Sequence, residues 1–318
     1  MKNITVLLIV ISFFFSCEEP QDTAPPSLTI ISHVANQIVS GISTIQVTTQ
    51  DNDRIEKVEF QIDHIIEATD FESPFKYEWN TEPYENLSTH TLQVTSYDKS
   101  GNFTKSDTLL LIIDNRVFIW GQYFDIKNTE VLNFESFRIN SGENLPAPIP
   151  KEIGALVNLK LLNLNLNRLN DTIPNELFDL PQLEELFLND NYLTGLISKN
   201  IGELQQLNTL SMINNEISGN IPPEIGNLNK LTKILLYNNK LSGTIPEEIG
   251  NLTSLTELRL QNNLLEGIIP ETICNLNEEI FYNVLGATNF SNNKLCPPYP
   301  SCIEDFIGSQ DTSDCEQY

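Results

Sequence analysis

Few side chains in this sequence are of the types that perform acid–base or metal chemistry. The three histidines, His33, His64 and His90, all lie in the first third of the chain. G-x-S-x-G, H-E-x-x-H and glycine-rich phosphate-binding motifs do not occur in the sequence. Acidic pairs such as Glu184-Glu185 do occur, but at positions that a folded surface leaves free. We therefore predict that the protein is not an enzyme.

Four of the five cysteines cluster near the C-terminus, at Cys274, Cys296, Cys302 and Cys315. An even, clustered set in an exported chain is typical of two disulfides, whose pairing has three possibilities. A zinc site is the alternative, but no histidine lies nearby in sequence and the spacing does not match C-x₂-C. We predict two disulfides that clamp the end of the chain and no metal there.

Asp51, Asp53 and Asp98 are the remaining candidates for metal ligation. They fall in two loops between expected strands, and if these loops meet, the carboxylate oxygens could hold Ca²⁺. Aspartates in such loops can instead accept hydrogen bonds from their own backbone and so shape tight turns. Turn formation is the role that we expect, which leaves Ca²⁺ as the weaker alternative and no other cofactor.

The overall charge limits the classes of partner. Against 18 Lys and Arg stand 43 Asp and Glu, which gives a formal net charge of -25 over 318 residues. Such a chain repels nucleic acid and anionic bilayer surfaces, and because it also repels itself we expect a monomer. Its length allows about two folded domains, and its 40% hydrophobic content is ordinary for a folded protein.

The first 16 residues have the character of a signal peptide. A short basic start, Met1-Lys2-Asn3, precedes an apolar run from Ile4 to Phe15 that is too short to span a bilayer as a helix. The next segment, residues 17–26, is polar, acidic and proline-containing, as expected for a tether.

The junction of these two segments resembles that of bacterial lipoproteins. Phe14-Phe15-Ser16-Cys17 is similar to a lipobox with phenylalanine in the place of the usual leucine, and Glu18-Glu19-Pro20-Gln21-Asp22 resembles the export signal of Bacteroidetes surface lipoproteins. The resemblance implies that Cys17 is lipid-modified and holds the protein on the outer membrane, facing outward. An ordinary secretory signal with a coincidental cysteine is the alternative.

Residues 27–115 alternate between apolar and polar positions in short runs bounded by turn residues. Such a pattern predicts six or seven strands and a β-sandwich, with Phe60, Trp79 and Tyr97 in its core. The predicted strands are Ser27–Ile31, Thr44–Thr49, Ile55–Ile62, Phe75–Trp79, Thr89–Tyr97 and Thr104–Ile113. The segment resembles bacterial immunoglobulin-like domains, most clearly at residues 50–53, 58–63, 73–79 and 95–102. The resemblance implies a spacer that lifts another module away from the membrane.

A 24-residue period organises the rest of the chain, with leucines at 156, 180, 204, 228, 252 and 276. A fixed period of this length is the signature of a solenoid. Within each copy, a Leu-x-Leu element (Met212 and Ile234 take two of the leucine places) puts two side chains on one face of a short strand, and we expect these strands to stack in parallel. An asparagine follows at one position in every copy, where its amide can satisfy buried backbone groups. These asparagines are Asn167, Asn191, Asn215, Asn239 and Asn263.

The copies resemble leucine-rich repeats of the subtype found in plant receptors and polygalacturonase inhibitors, which carry G-x-I-P after the asparagine. The resemblance implies five repeats over residues 156–275, with parallel strands on a concave face and an irregular or 3₁₀-helical convex side. Residues 116–155 are then an N-terminal cap with an irregular first repeat, in which Trp120 covers the end of the core, and residues 276–318 are an irregular last repeat and a cysteine-containing cap. The predicted fold is two-domain: an all-β immunoglobulin-like sandwich followed by a leucine-rich repeat solenoid.

Positions that the repeat pattern leaves free point outward from the concave face in four rows. The rows are Leu161, Glu185, Thr209, Lys233 and Glu257; Asn163, Phe187, Ser211, Leu235 and Arg259; Asn165, Asn189, Ile213, Tyr237 and Gln261; and Leu166, Asp190, Asn214, Asn238 and Asn262. Four apolar members should lie together, and a contiguous apolar group marks a binding site better than isolated residues do. The predicted partner-binding residues are Phe187, Ile213, Leu235, Tyr237, Asp190, Lys233 and Arg259. Chance variation in hydrophobicity is the alternative.

Together these features predict a non-enzymatic, lipid-anchored recognition or adhesion protein of the bacterial cell envelope. Its concave face would bind a protein or a glycan, and its only membrane contact would be the lipid on Cys17. Two alternatives stay open: an inhibitor of a secreted polysaccharide hydrolase, suggested by the repeat subtype, and a structural component of the envelope without a soluble ligand.

Overall fold

The computed structural model describes residues 22–136, 145, 148–282 and 288–315. The predicted signal peptide and Cys17 lie outside these residues. The chain divides between Asp114 and Asn115 into two compact units. Among the described residues, no helix combines the length and the apolar character that crossing a bilayer would require.

The first unit is a sandwich of two sheets. Strands β1, β3 and β6 form one sheet, and β2, β9, β7, β4 and β5 lie in that order in the other, with β8 paired to β7. The strands are β1 Ser27–Ile30, β2 Gln37–Val39, β3 Ile42–Gln50, β4 Ile55–Ile62, β5 Ile65–Asp70, β6 Lys76–Asn80, β7 Thr89–Asp98, β8 Phe103–Lys105 and β9 Leu109–Ile113. The sandwich prediction is confirmed, but β2 and β5 were not predicted, and the last predicted strand is two strands separated by residues 106–108.

The core of the sandwich follows the alternation along its strands. Phe60 and Trp79 are fully buried between the sheets, as predicted. The prediction for Tyr97 is wrong, because this residue has the opposite parity on β7. Its ring lies on the outer face under the Lys57 ammonium, and its hydroxyl donates to Glu59 at 3.0 Å.

The second unit begins with a hairpin of β10 Arg116–Ile119 and β11 Gln122–Asp125. Trp120 lies in its turn with φ of 45° and packs against the core of the unit. Its ring meets that of Phe134 edge-on, with the ring centroids 5.5 Å apart. Trp120 therefore covers the end of the core, as predicted.

Seven short strands then form one parallel sheet. They are β12 Val131–Asn133, β13 Leu161–Asn163, β15 Glu185–Phe187, β17 Thr209–Ser211, β19 Lys233–Leu235, β21 Glu257–Arg259 and β23 Thr288–Asn289. From β13 to β21 each residue pairs with the residue 24 positions later, so the sequence period becomes a spatial row. The concave face predicted from the repeats is the outer face of this sheet.

The return path of each copy contains a second strand and a 3₁₀ helix. The second strands are β14 Asn170–Thr172, β16 Tyr192–Thr194, β18 Ser218–Gly219, β20 Lys240–Gly243, β22 Leu264–Ile268 and β24 Lys294–Cys296. The 3₁₀ helices are Lys151–Ala155, Asn175–Asp179, Lys199–Glu203, Pro223–Asn227, Glu247–Asn251, Glu271–Asn275 and Glu304–Phe306, and one short α-helix, α1, spans Glu279–Tyr282. We call the surface of β14 to β24 the flank.

The buried asparagines form the predicted ladder. In a typical rung, Asn239 Nδ2 lies within hydrogen-bond distance of the carbonyls of Met212, Leu236 and Tyr237, and its Oδ1 accepts the backbone N–H of Ile217. Each rung thus joins two copies through backbone groups that are removed from water, where an unmade hydrogen bond is costly.

The ladder continues into the C-terminal cap beyond the five predicted asparagines. Asn293 repeats the pattern, and Gln310 then repeats it with a longer side chain. Gln310 Oε1 accepts from the Leu295 backbone at 3.3 Å, and its Nε2 donates to the carbonyls of Phe290 and Ile307. The cap therefore ends on the same kind of rung as the repeats.

The same cap holds both predicted disulfides. The pairs are Cys274–Cys302 and Cys296–Cys315, with Cα atoms 5.7 and 5.5 Å apart. The structure thus selects one of the three pairings that the sequence left open. Cys274 lies in the fifth regular repeat and Cys296 in the irregular last repeat, and each is joined to the terminal segment.

Candidate binding surface

The apolar patch is formed by Phe187, Ile213, Leu235 and Tyr237 on the concave sheet. Phe187 pairs with Ser211 and Ser211 with Leu235, so the two large side chains flank a small one in the second row. Ser211 faces the concave side but is only 1% exposed. Phe187 and Leu235 therefore stand on either side of a covered position, and the apolar residues of this row span β15 to β19.

The third row carries the other half of the patch. Backbone hydrogen bonds continue past the strand ends, from Asn214 N to the Tyr237 carbonyl, and hold Ile213 beside Tyr237. On the other side, Asn189 Oδ1 accepts from both the Ser211 hydroxyl and the Ile213 backbone. The polar groups beneath the patch are therefore satisfied internally, and the four apolar residues are half-buried.

The predicted charged residues lie at the C-terminal side of the patch. Glu257 stands between two cations: its Oε1 is 2.7 Å from Arg259 Nε and its Oε2 is 3.9 Å from Lys233 Nζ. Arg259 Nε makes no aligned hydrogen bond in this arrangement, so the contact is an ion pair only. The cluster keeps one net positive charge in a strongly acidic chain.

Asp190 lies at the other side of the patch, at the start of an exposed row of amides. Asn214 donates to Asp190 at 2.6 Å. Along the row, Asn238 donates to Asn214, Asn262 to Asn238 and Asn292 to Asn262. All five residues have φ between 54° and 57°, a left-handed conformation that Asn and Asp tolerate better than most residues. The fourth row is therefore constrained by its left-handed backbone, although the repeat pattern in the sequence leaves these positions variable.

Within the five regular repeats, the most exposed apolar residues lie on the flank, not on the concave face. Tyr192 is 56% exposed and Leu196 is 65% exposed. Leu196 belongs to the copy in which Ser198 replaces the usual proline, and both residues line an open surface depression of about 580 Å³ together with Lys199 and Pro222. The sequence signal for this exposure was available, because leucine here stands where other copies have threonine, asparagine or isoleucine.

The acidic residues of the sandwich only partly meet as predicted. Ligand oxygens of Asp51 and Asp98 lie within 4.8 Å of each other and of Asp22, whereas Asp53 donates its backbone N–H to Asp51 Oδ1 at 2.9 Å. Asp98 is fully buried and accepts from the Asn102 backbone and side chain, both at 2.8 Å. These are the predicted turn hydrogen bonds; the Ca²⁺ alternative stays a prediction.

Ser88, His90 and Asp63 of the sandwich form a hydrogen-bonded network with the residue types of a catalytic triad, but its hydrogen bonds differ from those of a triad. His90 Nδ1 lies 2.5 Å from Asp63 Oδ2, and His90 Nε2 lies 2.8 Å from Ser88 Oγ. The single Ser88 hydroxyl proton is directed to the carbonyl of Glu85 at 2.5 Å. Because the Ser88 hydroxyl gives its proton to the Glu85 carbonyl, it has no second proton for His90, so the arrangement differs from one in which a histidine takes the proton of a serine.

The pKa values of two carboxylates in the sandwich are lowered: Asp63, which belongs to this network, and Glu59, which lies on the outer face. The Lys57 ammonium, 2.6 Å away, lowers the pKa of Glu59. Burial acts to raise the pKa of Asp63, but hydrogen bonds from the Thr91 backbone and from His90 outweigh it, so the net pKa is lowered. Both groups thus link the stability of the sandwich to pH.

Comparison with known proteins matches this architecture. Residues 26–94 match the family described as bacterial Ig domain, and residues 182–204, 206–228, 230–252 and 254–276 match the family described as leucine-rich repeat. The chain joins an Ig-like domain to leucine-rich repeats. No curated protein matches it.

The similar solved structures include plant receptor ectodomains. The plant peptide hormone receptor RGFR1 in complex with RGF2 is 34% identical, over 49% of this chain and 24% of its own, with a TM-score of 0.45. The Arabidopsis receptor kinase HAESA in complex with the peptide hormone IDA and the co-receptor SERK1 is 34% identical, over 51% and 26%, with a TM-score of 0.45. The BIR2 ectodomain from Arabidopsis thaliana is 32% identical, over 44% and 71%, with a TM-score of 0.38. The chain thus spans about a quarter of the length of the first two receptors.

Proposed function

We propose that this chain is a non-enzymatic recognition protein of the bacterial cell surface that binds a protein partner on the concave face of its leucine-rich repeats. The observation that carries the proposal is the apolar patch, whose members lie on three neighbouring strands, with the Ser211 hydroxyl and the Ile213 N–H bonded internally to Asn189. Burying such a patch against a partner gains hydrophobic free energy, and aromatic anchors such as Phe187 and Tyr237 are favoured at interface hot spots.

The proposal includes the anchor and the arrangement that the sequence implies. The lipid on Cys17 attaches a monomeric chain to the outer membrane, and the Ig-like domain acts as the spacer. The plant-receptor-like repeat subtype supports recognition by shape, since HAESA and RGFR1 are described in complex with peptide ligands. Adhesion to a neighbouring or host cell is the physiological role that we infer.

The decisive experiment is a capture from envelope and culture-medium proteins with the chain lacking its first 17 residues. Once a partner is identified, Phe187→Ala with Tyr237→Ala should weaken binding at least tenfold, about 1.4 kcal/mol or more, because both anchors are lost. Binding would be measured by calorimetry with the purified partner.

Tyr192→Ala with Leu196→Ala is the matched control, because it removes similar apolar area from the flank of the second repeat. Equal effects of the two double variants, or no effect of the concave one, would contradict the proposal. A glycan array run in parallel tests the other ligand class, and binding there instead of to a protein would also contradict it.

The anchor is tested separately in cells. Cys17→Ser should abolish labelling by a fatty-acid analogue and release the protein from the membrane fraction. Protease added to intact cells should remove the wild-type protein if it faces outward. Retention of the label in the Cys17→Ser variant would disprove lipidation at this residue.

A further inference from the structure

The concave face carries opposite charges on the two sides of the apolar patch. Glu185 and Asp190 lie on the β15 side, and Lys233 and Arg259 lie on the β19 and β21 side. Because the strands are parallel and in register, these charges are separated along the direction that crosses the strands. A ligand that lies across the sheet therefore meets an acidic end, an apolar centre and a basic end.

The basic end is arranged to leave donors for a ligand. Glu257 contacts Arg259 through Nε, so the two terminal guanidinium nitrogens are not needed for this ion pair. Lys233 is more loosely held, at 3.9 Å, and its side chain is 49% exposed. Since two cations share one carboxylate, an incoming carboxylate would complete the charge balance.

An acceptor without a donor lies beside the same end. Gln261 Oε1 is buried and accepts no hydrogen bond from any residue that the structure describes. It occupies the third row next to Tyr237, at the margin of the patch. The oxygen is covered by its neighbours, so a backbone N–H of a bound polypeptide reaches it only when the Gln261 side chain turns outward, and that turn gains a hydrogen bond that the free chain lacks.

The length of the site follows from the strand spacing. Three intervals separate β15 from the Arg259 strand β21, about 14 Å at about 4.8 Å each, and Lys233 on β19 lies one interval nearer. An extended polypeptide advances about 3.4 Å per residue, so about five residues span the distance.

We propose that the concave face binds an extended polypeptide segment of about five residues that has a basic side chain at one end, an apolar centre and an acidic side chain at the other. The basic side chain lies over Glu185 and Asp190, and the acidic one over Lys233 and Arg259. This inference rests on the proposed function and names the chemistry of its partner.

The test uses a displayed library of random twelve-residue peptides, selected on the chain lacking its first 17 residues. Enriched peptides should share one basic and one acidic residue about four positions apart with apolar residues between them. For a synthetic selected peptide, Lys233→Gln and Arg259→Gln should each raise Kd about fivefold, as a partly exposed ion pair contributes about 1 kcal/mol. Replacing the acidic residue of the peptide by its amide should remove these differences.

Lys240→Gln is the matched control, because Lys240 pairs with Glu216 at 2.9 Å on the flank of the same repeat as Lys233. Arg259→Lys, which keeps the charge, should retain most of the binding and so separates charge loss from misfolding. Enrichment of no peptide, or of peptides without the charge pair, would overturn the inference. Loss of binding in the Phe187 and Tyr237 double variant, together with no effect of Lys233→Gln or Arg259→Gln, would overturn it while leaving the proposed function intact; no effect of any of them would end both.

Discussion

The two units of the chain satisfy their buried polar groups in different ways. In the leucine-rich repeat domain, uncharged amides such as Asn239 bond to backbone groups, and each rung repeats the last. In the Ig-like domain, ionisable side chains take part instead: buried Glu59 pairs with Lys57, and the more exposed Asp63 pairs with His90. The repeats thus depend on local amide geometry, whereas the sandwich depends partly on charge. The two units should therefore respond to different perturbations.

The largest effect is expected from Asn239→Ala. The substitution leaves the carbonyls of Met212 and Leu236 and the N–H of Ile217 without their partner in a buried site, at about 3 kcal/mol in total. Urea unfolding followed by Trp120 fluorescence in a Trp79→Phe background would report this domain. A loss below about 1 kcal/mol would show that water replaces the amide and would weaken the contrast between the units.

A smaller effect is expected from acid on the Ig-like domain. The pKa values of Glu59 and Asp63 are lowered in the folded state from ordinary values of 4.5 and 3.8. Their contribution is therefore fully present above the unfolded pKa values and is lost as the pH falls below them and through the lowered folded-state pKa values. Because Asp63 is substantially exposed, solvent screening limits the combined loss to about 1 kcal/mol.

Trp79 in a Trp120→Phe background reports this unit alone, since the chain has two tryptophans. Its urea midpoint should fall between pH 6 and pH 3 in the parent and less so in the Glu59→Gln variant. If acid lowered the urea midpoints of the two tryptophan reporters equally, the proposed difference between the units, ionisable side chains in one and uncharged amides in the other, would be contradicted.

The smallest effect is expected from Asn238→Gly, one residue before the buried rung. Asn238 is exposed and has a φ of 57°, which glycine adopts freely, and among the described residues its side-chain amide bonds to Asn214 and Asn262 of the exposed row. The free energy of unfolding should change by less than about 0.5 kcal/mol. A loss of unfolding free energy comparable to that of Asn239→Ala would mean that the exposed row of amides, and not the buried ladder alone, stabilises the repeats.

Much of the repeat domain could be predicted from the sequence, because its contacts are copies of one contact. The register between Phe187, Ser211 and Leu235 follows directly from the 24-residue spacing. Irregular partners were harder: Gln310 completes the ladder, but it lies outside the period and has a different side chain. Its role depends on where the cap folds back.

The sandwich was less predictable, because its contacts do not repeat and join residues that are distant in sequence. Strand β2 has three residues and pairs in parallel with β9, which is distant in sequence. Strand β5 lies at a sheet edge and begins with two exposed isoleucines, so it lacks the alternation that identifies a half-buried strand. Tyr97 was placed in the core by residue type, but its parity on β7 puts it on the outer face.

The sequence by itself determined the solenoid, the sandwich class, the concave rows and the presence of two disulfides, because periodicity and residue type encode local geometry. The tertiary structure decided which cysteines pair, that Asp22 and not Asp53 joins Asp51 and Asp98, and that Lys233 and Arg259 share Glu257. These outcomes depend on the approach of side chains that are remote in sequence or outside the repeat consensus. No local pattern specifies such an approach, since it is set by how the folded backbone brings the residues together.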